Sequence, residues 1–399
     1  MFFAQIDQLL SSRELELVHR TREFCDGAFS LELQRSFIKG APFSADWIAQ
    51  WAELGMLGLQ VPRELGGQGA TFACKVRIAQ ELALHGFGAA FALNNLQGSV
   101  TRLARHGTGE QRSRLLEKML KGRILGAPVM TEPTGGSDLG ALRTTATKVD
   151  GGWLLDGSKA WITNGTLINC PLVLARVGEQ PGAAGIASFL VPIATDATTV
   201  ERIAINAPGA RSFRSAALHF RGHFVPDWCL FNAAGEAFKF SLASINAARV
   251  HVAAMCVATL YASLCEAVQY CGERVAFGKN LLAHQGLRWE LAEVSTRLEA
   301  ASALVAHAVA LAQNSGLTPG LAAQAKKFAI DTAVWGIEQC IRATGAVGAT
   351  HELRLAMHYE EVRLAAFADG TNEILQDRIG RGLQAAYTPE AIQPKEVLP

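Results

Sequence analysis

The periodicity of apolar residues changes twice along the 399-residue chain, from helical to alternating and back. This predicts an α+β fold: an N-terminal helical domain, a middle β-sandwich or barrel domain, and a C-terminal four-helix bundle. Three observations carry the prediction. Apolar residues recur at three- and four-residue spacing at both ends of the chain. Between them, short β-branched and aromatic runs are punctuated by Asp-Gly and Pro. No repeat, low-complexity segment or Pro/Gly-rich linker intervenes. The expected domains are residues 1–125, 126–237 and 238–399, joined in one continuous body.

In the first domain, Asp46 to Gly55 has helical apolar spacing and stops at a glycine. Phe72 to His85 and Glu110 to Lys121 give two more helices. Gly66-Gly-Gln-Gly69 is a loop, and no strand precedes it as a phosphate cradle would require. In the second domain, Thr144–Val149 and Trp153–Leu155 form a hairpin about Asp150-Gly151. Asp156-Gly157 predicts another turn, leading into Lys159–Thr163. Leu172–Val177, Ala187–Pro192 and Ala216–Phe220 follow as strands, and Pro226 closes the series. In the third domain, Leu242–Phe277, His284–Gln313 and a helix from Thr318-Pro319 to Thr344 form an antiparallel bundle. His351–Ala366 adds a fourth helix.

Composition narrows the function. Charged residues are 18 % of the chain and the formal net charge is +1, so there is no electrostatic case for nucleic acid. The cysteines at 25, 74, 170, 229, 256, 265, 271 and 340 form no CxxC pair. They read as buried small apolar residues in a reducing cytosol. The amino terminus lacks the pattern of a signal peptide. The most apolar stretch, Val250–Cys265, contains His251 and falls short of the roughly 20 residues that span a bilayer. The expectation is a cytoplasmic protein without a membrane segment.

The chemistry concentrates near the carboxyl end. Asp369-Gly370 is a turn dipeptide, and Thr371 onward reads as a helix with Ile374, Leu375 and Ile379 on one stripe. A helix start can hold a phosphate, and a carboxylate beside it can take a proton. The plainer alternative makes Asp369 an N-cap in a surface turn. Upstream, Met130 to Asp138 opens from a strand into small and hydroxyl residues, and Trp161-Ile-Thr-Asn164 follows on the next strands. Hydroxyls, amides and an indole face together suit a large planar ring carrying phosphates. His351 and His358, seven apart on the expected fourth helix, lack a third ligand for a metal.

These segments, in this order, resemble the acyl-CoA dehydrogenase family over nearly the whole chain. The match rests on Leu57–Pro62, Met-Thr-Glu-Pro from Met130, Trp-Ile-Thr-Asn from Trp161, Arg274–Lys279, His284-Gln285, the Gly345 region and Asp369-Gly-Thr371. The resemblance implies FAD as cofactor. It places Met130, Thr131 and Ser137 beside the flavin ring and pyrophosphate, Trp161 on the isoalloxazine, and the Thr163 hydroxyl at flavin N5. Thr371 and Glu373 match the segment that holds the pyrophosphate. Arg274, Phe277 and Gln285 match residues that reach a neighbouring subunit's FAD, which implies a homo-oligomer, a tetramer or dimer. Asn246, Arg249 and Gly370 fall in substrate-binding positions, the first two on the carrier side of a thioester.

The implied reaction is Cα–Cβ oxidation of an acyl thioester on coenzyme A or a carrier protein, with Asp369 as base and an electron-transfer flavoprotein as acceptor. Three departures stand out. The family's usual base is Glu, one methylene longer. Ala248 fills the position before the helix arginine that serves as base in some relatives. Arg342 replaces the usual Gln before Gly345 and can still pair with a pyrophosphate. Two alternatives are an oxygen-using relative of nitroalkane-oxidase or acyl-CoA-oxidase type and an FAD-binding homologue that no longer dehydrogenates. Nitroalkane oxidases carry an arginine where this chain has Gln376.

Overall fold

The computed structural model describes residues 2–38, 46–210, 212–314 and 316–388. Among the described residues seven α-helices come first: α1 (Ala4–Asp7), α2 (Ser12–Ala28), α3 (Leu31–Ile38), α4 (Asp46–Glu53), α5 (Phe72–Ala83), α6 (Phe87–His106) and α7 (Gly109–Leu120). Helix starts fall where the sequence supplies caps. Ser11 and Glu14 form a capping box on α2, Thr108 and Gln111 another on α7, and Thr71 caps α5. Helix α5 is buried along almost its whole length, charged residues included.

The strands are β1 (Pro128–Val129), β2 (Thr145–Val149), β3 (Gly152–Ile162), β4 (Leu172–Arg176), β5 (Ile186–Leu190), β6 (Val200–Ala204), β7 (Ala216–Pro226) and β8 (Leu230–Asn232). They form one eight-stranded sheet in the order β6-β7-β3-β2-β4-β5-β8, with β1 pairing parallel to β4. The Asp150-Gly151 hairpin forms as its sequence predicts. The second Asp-Gly does not turn. Strand β3 runs straight through it, and the register against β7 shifts between Leu155 and Gly157. Asp156 accepts the Gly222 N–H at 2.7 Å, while Gly157 takes φ 141° with no room for a Cβ, which would lie 2.7 Å from Thr144 Cα. The dipeptide makes a bulge instead.

The last part holds α8 (Glu236–Glu273), a hairpin of β9 (Val275–Ala276) and β10 (Lys279–Asn280), α9 (Gln285–Gln313), α10 (Pro319–Thr344), α11 (Leu355–Leu364), α12 (Asn372–Gly380) and α13 (Leu383–Ala386). Helix α8 ends four residues before Phe277. The chain reverses at Phe277-Gly278, where both residues have positive φ (53° and 78°), as a two-residue hairpin loop requires. Thr318 caps α10 with Pro319 at its first position, as expected. Helix α11 begins only at Leu355, so His351 lies outside it and exposed, while His358 is fully buried. The two do not share a helix. Cys265 is exposed, and the other seven cysteines are buried. Among the described residues, no group of three or more His, Cys, Asp or Glu is placed to hold a metal.

Helix α8 is long and apolar enough to cross a membrane by composition, yet 78 % of that window is buried against the other helices. The main apolar cluster runs from Phe3 through Val173 and Phe189 to Ala365 and so crosses all three parts of the chain. One carboxylate ties them as well. Glu361 of α11 accepts the Gly88 N–H at 2.9 Å and the Ser212 hydroxyl at 2.9 Å. Gly88 must be glycine, because a Cβ there would lie 1.8 Å from Ser212 Oγ. Burial raises the Glu361 pKa to about 7 despite these hydrogen bonds.

Candidate active site

The turn after α11 carries two successive residues with positive φ, Asp369 (53°) and Gly370 (100°). For a non-glycine residue this conformation is uncommon and needs support from its surroundings. Two cations supply it. Arg249 Nε donates to the Asp369 carbonyl at 3.0 Å, and Lys326 Nζ donates to the Gly370 carbonyl at 2.5 Å. Arg249 is in turn fixed by Asn246 Oδ1 at 3.0 Å from its Nη1. Both cations are buried, at 7 % and 0 % exposure. Asp369 is therefore not the N-cap of α12; Thr371 is, accepting the Ile374 N–H at 3.5 Å.

The cations grip the carbonyls and leave the rest of Asp369 free. Among the described residues, its carboxylate has no ion pair within 4 Å and its amide N–H has no acceptor. Burial raises the Asp369 pKa above the ordinary 3.8, and Lys326, Arg249 and Arg102 each pull it back. Burial also lowers Lys326 to about 8, with Asp369 opposing. A half-buried carboxylate with a raised pKa and a free amide in the same turn can take a proton and stabilise an adjacent oxyanion.

Met130, Thr131, Trp161 and Thr163 come together on the sheet. Lys159, fully buried, donates to the Met130 carbonyl (3.1 Å) and to Glu132 (2.9 Å). Glu132 also accepts the N–H groups of Arg143 (2.7 Å) and Thr144 (2.8 Å). Burial pushes Glu132 up, but Lys159 and these hydrogen bonds outweigh it and hold its pKa low. The Ala160 N–H reaches the Thr131 carbonyl at 3.0 Å. This knot pins the loop that bears Ser137 against the end of β3. There Trp161 takes φ 60° and stands 63 % exposed, its indole presented outward. An exposed indole on a rigid strand end fits a flat ring laid against it.

Glu373 is exposed on the first turn of α12, beside Thr371. A cavity of about 610 Å³ opens next to the same turn, lined by Pro208, Ile330, Trp335, Leu364, Phe367 and Asn372 among others, and its lining stops on either side of Asp369.

Arg274, Phe277, Gln285, Arg342 and Gly345 lie elsewhere. All five are exposed, and they gather where α8 and α10 end and α9 begins. From Arg249 to Arg274, α8 extends about 37 Å at 1.5 Å per residue. Within one chain this set does not meet the Asp369 turn.

Arg249 is a candidate from the sequence; the charged residues that sequence reasoning misses are Lys326, Arg102 and the Glu132–Lys159 pair. Lys326 sits on the apolar face of α10, among Ala322, Ala325, Ala329 and Ile330, and that spacing already marks it as a lysine facing the core. Arg102 and the Glu132–Lys159 pair had no comparable signal, because their partners are distant in sequence.

Comparison with known proteins gives a consistent result. Family models described as the N-terminal, middle and C-terminal domains of acyl-CoA dehydrogenase match residues 11–123, 127–222 and 235–384. The chain is 32 % identical over 335 residues to an acyl-CoA dehydrogenase of Bacillus subtilis, covering 83 % of this chain and 88 % of that protein. It is 34 % identical over 331 residues to a benzylmalonyl-CoA dehydrogenase of Aromatoleum aromaticum, covering 82 % and 86 %. The crystal structure of an acyl-CoA dehydrogenase from Geobacillus kaustophilus superposes with a TM-score of 0.88 at 25 % identity, covering 94 % of this chain and 98 % of that one.

Proposed function

The chain belongs to the acyl-CoA dehydrogenase family, FAD-dependent oxidoreductases acting on CH–CH bonds, and from that premise we propose that it desaturates an acyl thioester at Cα–Cβ with Asp369 as base. The observation that carries the proposal is the Asp369 turn, in which Arg249 and Lys326 bind the carbonyls and leave carboxylate and amide free. A Cα proton is weakly acidic, so the thioester oxygen needs a hydrogen-bond donor as enolate charge develops. The Asp369 N–H is such a donor, and the Asp369 carboxylate takes the proton. Bound FAD supplies the hydride acceptor for Cβ.

The chain's residues fit that group. Trp161 offers the indole face, Met130, Thr131 and Thr163 surround it, Ser137 lies in the loop above, and Thr371 with Glu373 opens α12. Arg274, Phe277, Gln285, Arg342 and Gly345 would complete the site of a second copy, because about 37 Å of helix separates them from their own Asp369. The proposal is therefore a cytoplasmic homo-oligomer, a tetramer or dimer. Asn246, Arg249 and Gly370 frame the entry of the thioester arm, whether of coenzyme A or a carrier protein. An electron-transfer flavoprotein is the proposed acceptor.

The test is anaerobic titration of FAD-loaded protein with a panel of acyl thioesters, following loss of flavin absorbance. Asp369→Asn should keep FAD and bind thioester, yet reduce flavin at least about a hundredfold more slowly. Near-wild-type reduction by that variant would sink the assignment.

A further inference from the structure

Helices α5 and α6 carry two cations for which the described residues supply no partner of their own. Lys75 is 5 % exposed, and among the described residues its ammonium has neither a hydrogen bond nor a carboxylate within 4 Å. The charges it feels are those of Arg102 and Arg105, both of its own sign; with burial, the larger effect, they lower its pKa to about 7. Arg102 is half-buried and likewise unpaired, and the one opposite charge acting on it is Asp369. That carboxylate forms no ion pair within 4 Å among the described residues and also feels the charges of Arg249 and Lys326. Lysine is almost never buried without a partner, because losing water around an unpaired ammonium costs several kcal/mol.

The surroundings are polar where a plain hydrocarbon site would be dry. His251, whose ring lies tilted against Phe72 with centroids 5.0 Å apart, has a buried Nε2 without a partner among the described residues. The Oδ1 atoms of Asn94 and Asn95 on α6 are also buried and unpartnered. Asn95, Gly98 and Arg102 lie on one helical face, and a Cβ built at Gly98 meets nothing within 4 Å, so that face is open. Lys75 is buried, and half-buried Arg102 lies near enough to Asp369 for their charges to interact, which selects what reaches them. A carrier must stay at the surface, whereas the far end of an acyl chain can extend inward from the base.

We infer that the acyl group oxidised here bears a carboxylate of its own, received by Lys75 and Arg102. The inference rests on the reading of Asp369 as the base. A guanidinium fork and an ammonium match a carboxylate in charge and geometry, and His251 beside Lys75 and Asn95 on the Arg102 face supply further polar groups.

The experiment measures binding by anaerobic calorimetry to FAD-loaded protein whose flavin is reduced with dithionite beforehand, so that no hydride can pass. The probes are S-pantetheine thioesters of succinate, glutarate and adipate, each set against the neutral acyl thioester of equal carbon number. Pantetheine is common to coenzyme A and carrier proteins, so the choice of carrier does not enter. At least one dicarboxylic probe should bind about tenfold or more tighter than its neutral counterpart. Lys75→Met and Arg102→Met should each reduce that preference at least about tenfold, the lower range for breaking a buried charge pair. Lys75→Met should also raise Tm, since it removes an unpaired buried charge, so misfolding cannot mimic the result. Equal binding of charged and neutral probes would overturn the inference. So would a preference that survives both substitutions, or an equal loss of both probe types. Because the preference is read before any chemistry, it stands or falls apart from whether Asp369→Asn blocks flavin reduction.

Discussion

Lys326 holds its ammonium 2.5 Å from the carbonyl oxygen of Gly370, the residue directly after the carboxylate proposed as base. It therefore acts on Asp369 in two ways, by fixing the turn and by lowering the carboxyl pKa. Asp369 must be ionised to take a proton, so the rate of flavin reduction should fall as pH drops through its raised pKa. Lys326→Met removes one of the charges that pull this pKa back. The acid limb of the rate profile should move to higher pH, with the rate recovering above it. A uniform loss at every pH would show a purely structural role.

Asp369→Glu tests the missing methylene. A displacement on the order of 1 Å can cost about a hundredfold in rate. With the turn pinned at both carbonyls, the longer side chain cannot retreat, and flavin reduction by the native substrate should slow. Faster reduction in the Glu variant would show that the pocket is not shaped around Asp.

Arg274→Glu places a negative charge where phosphates of a neighbour's FAD are expected. FAD retention should weaken while the fold persists, measured as cofactor lost on gel filtration. A monomer by light scattering that still holds one FAD per chain would exclude the placement.

Glu361 gives a prediction on stability alone. Its pKa rises from the ordinary 4.5 to about 7 on folding. The folded chain thus binds its proton more tightly than the unfolded chain does. Stability from this group is fully present below 4.5 and declines as pH climbs to about 7, by roughly 3 kcal/mol. Glu361→Gln keeps an acceptor for Gly88 and a donor for Ser212, and should flatten that decline in denaturant titrations between pH 4.5 and 7. An unchanged slope would show that Glu361 stays ionised.

Much of this was legible in the sequence. The two switches of apolar period correspond to real changes of architecture, and Thr318-Pro319 starts α10 where a cap and a helix-compatible proline require it. The turn at Asp369-Gly370 was readable too, though its geometry was not. Two successive positive φ angles are set by Arg249 and Lys326, which approach from helices far away in the chain. Asp150-Gly151 and Asp156-Gly157 are the same dipeptide with different outcomes. The second is decided by Thr144, just before β2, and Gly222 on β7, which no local pattern contains. Phe277 shows the reverse case. The sequence reading carried the helix to Phe277, whereas the chain reverses at Phe277-Gly278, and Gly278 was a local signal for that turn.

Gly88, Ser212 and Glu361 belong to three stretches matched by three separate family models, and one carboxyl group closes on all of them. Pulling any one stretch away strands polar groups that the other two had satisfied, and opens an apolar cluster that runs through every part. The pieces are therefore modules of ancestry but not of melting. Heated in a calorimeter, this chain should give one cooperative transition in place of three.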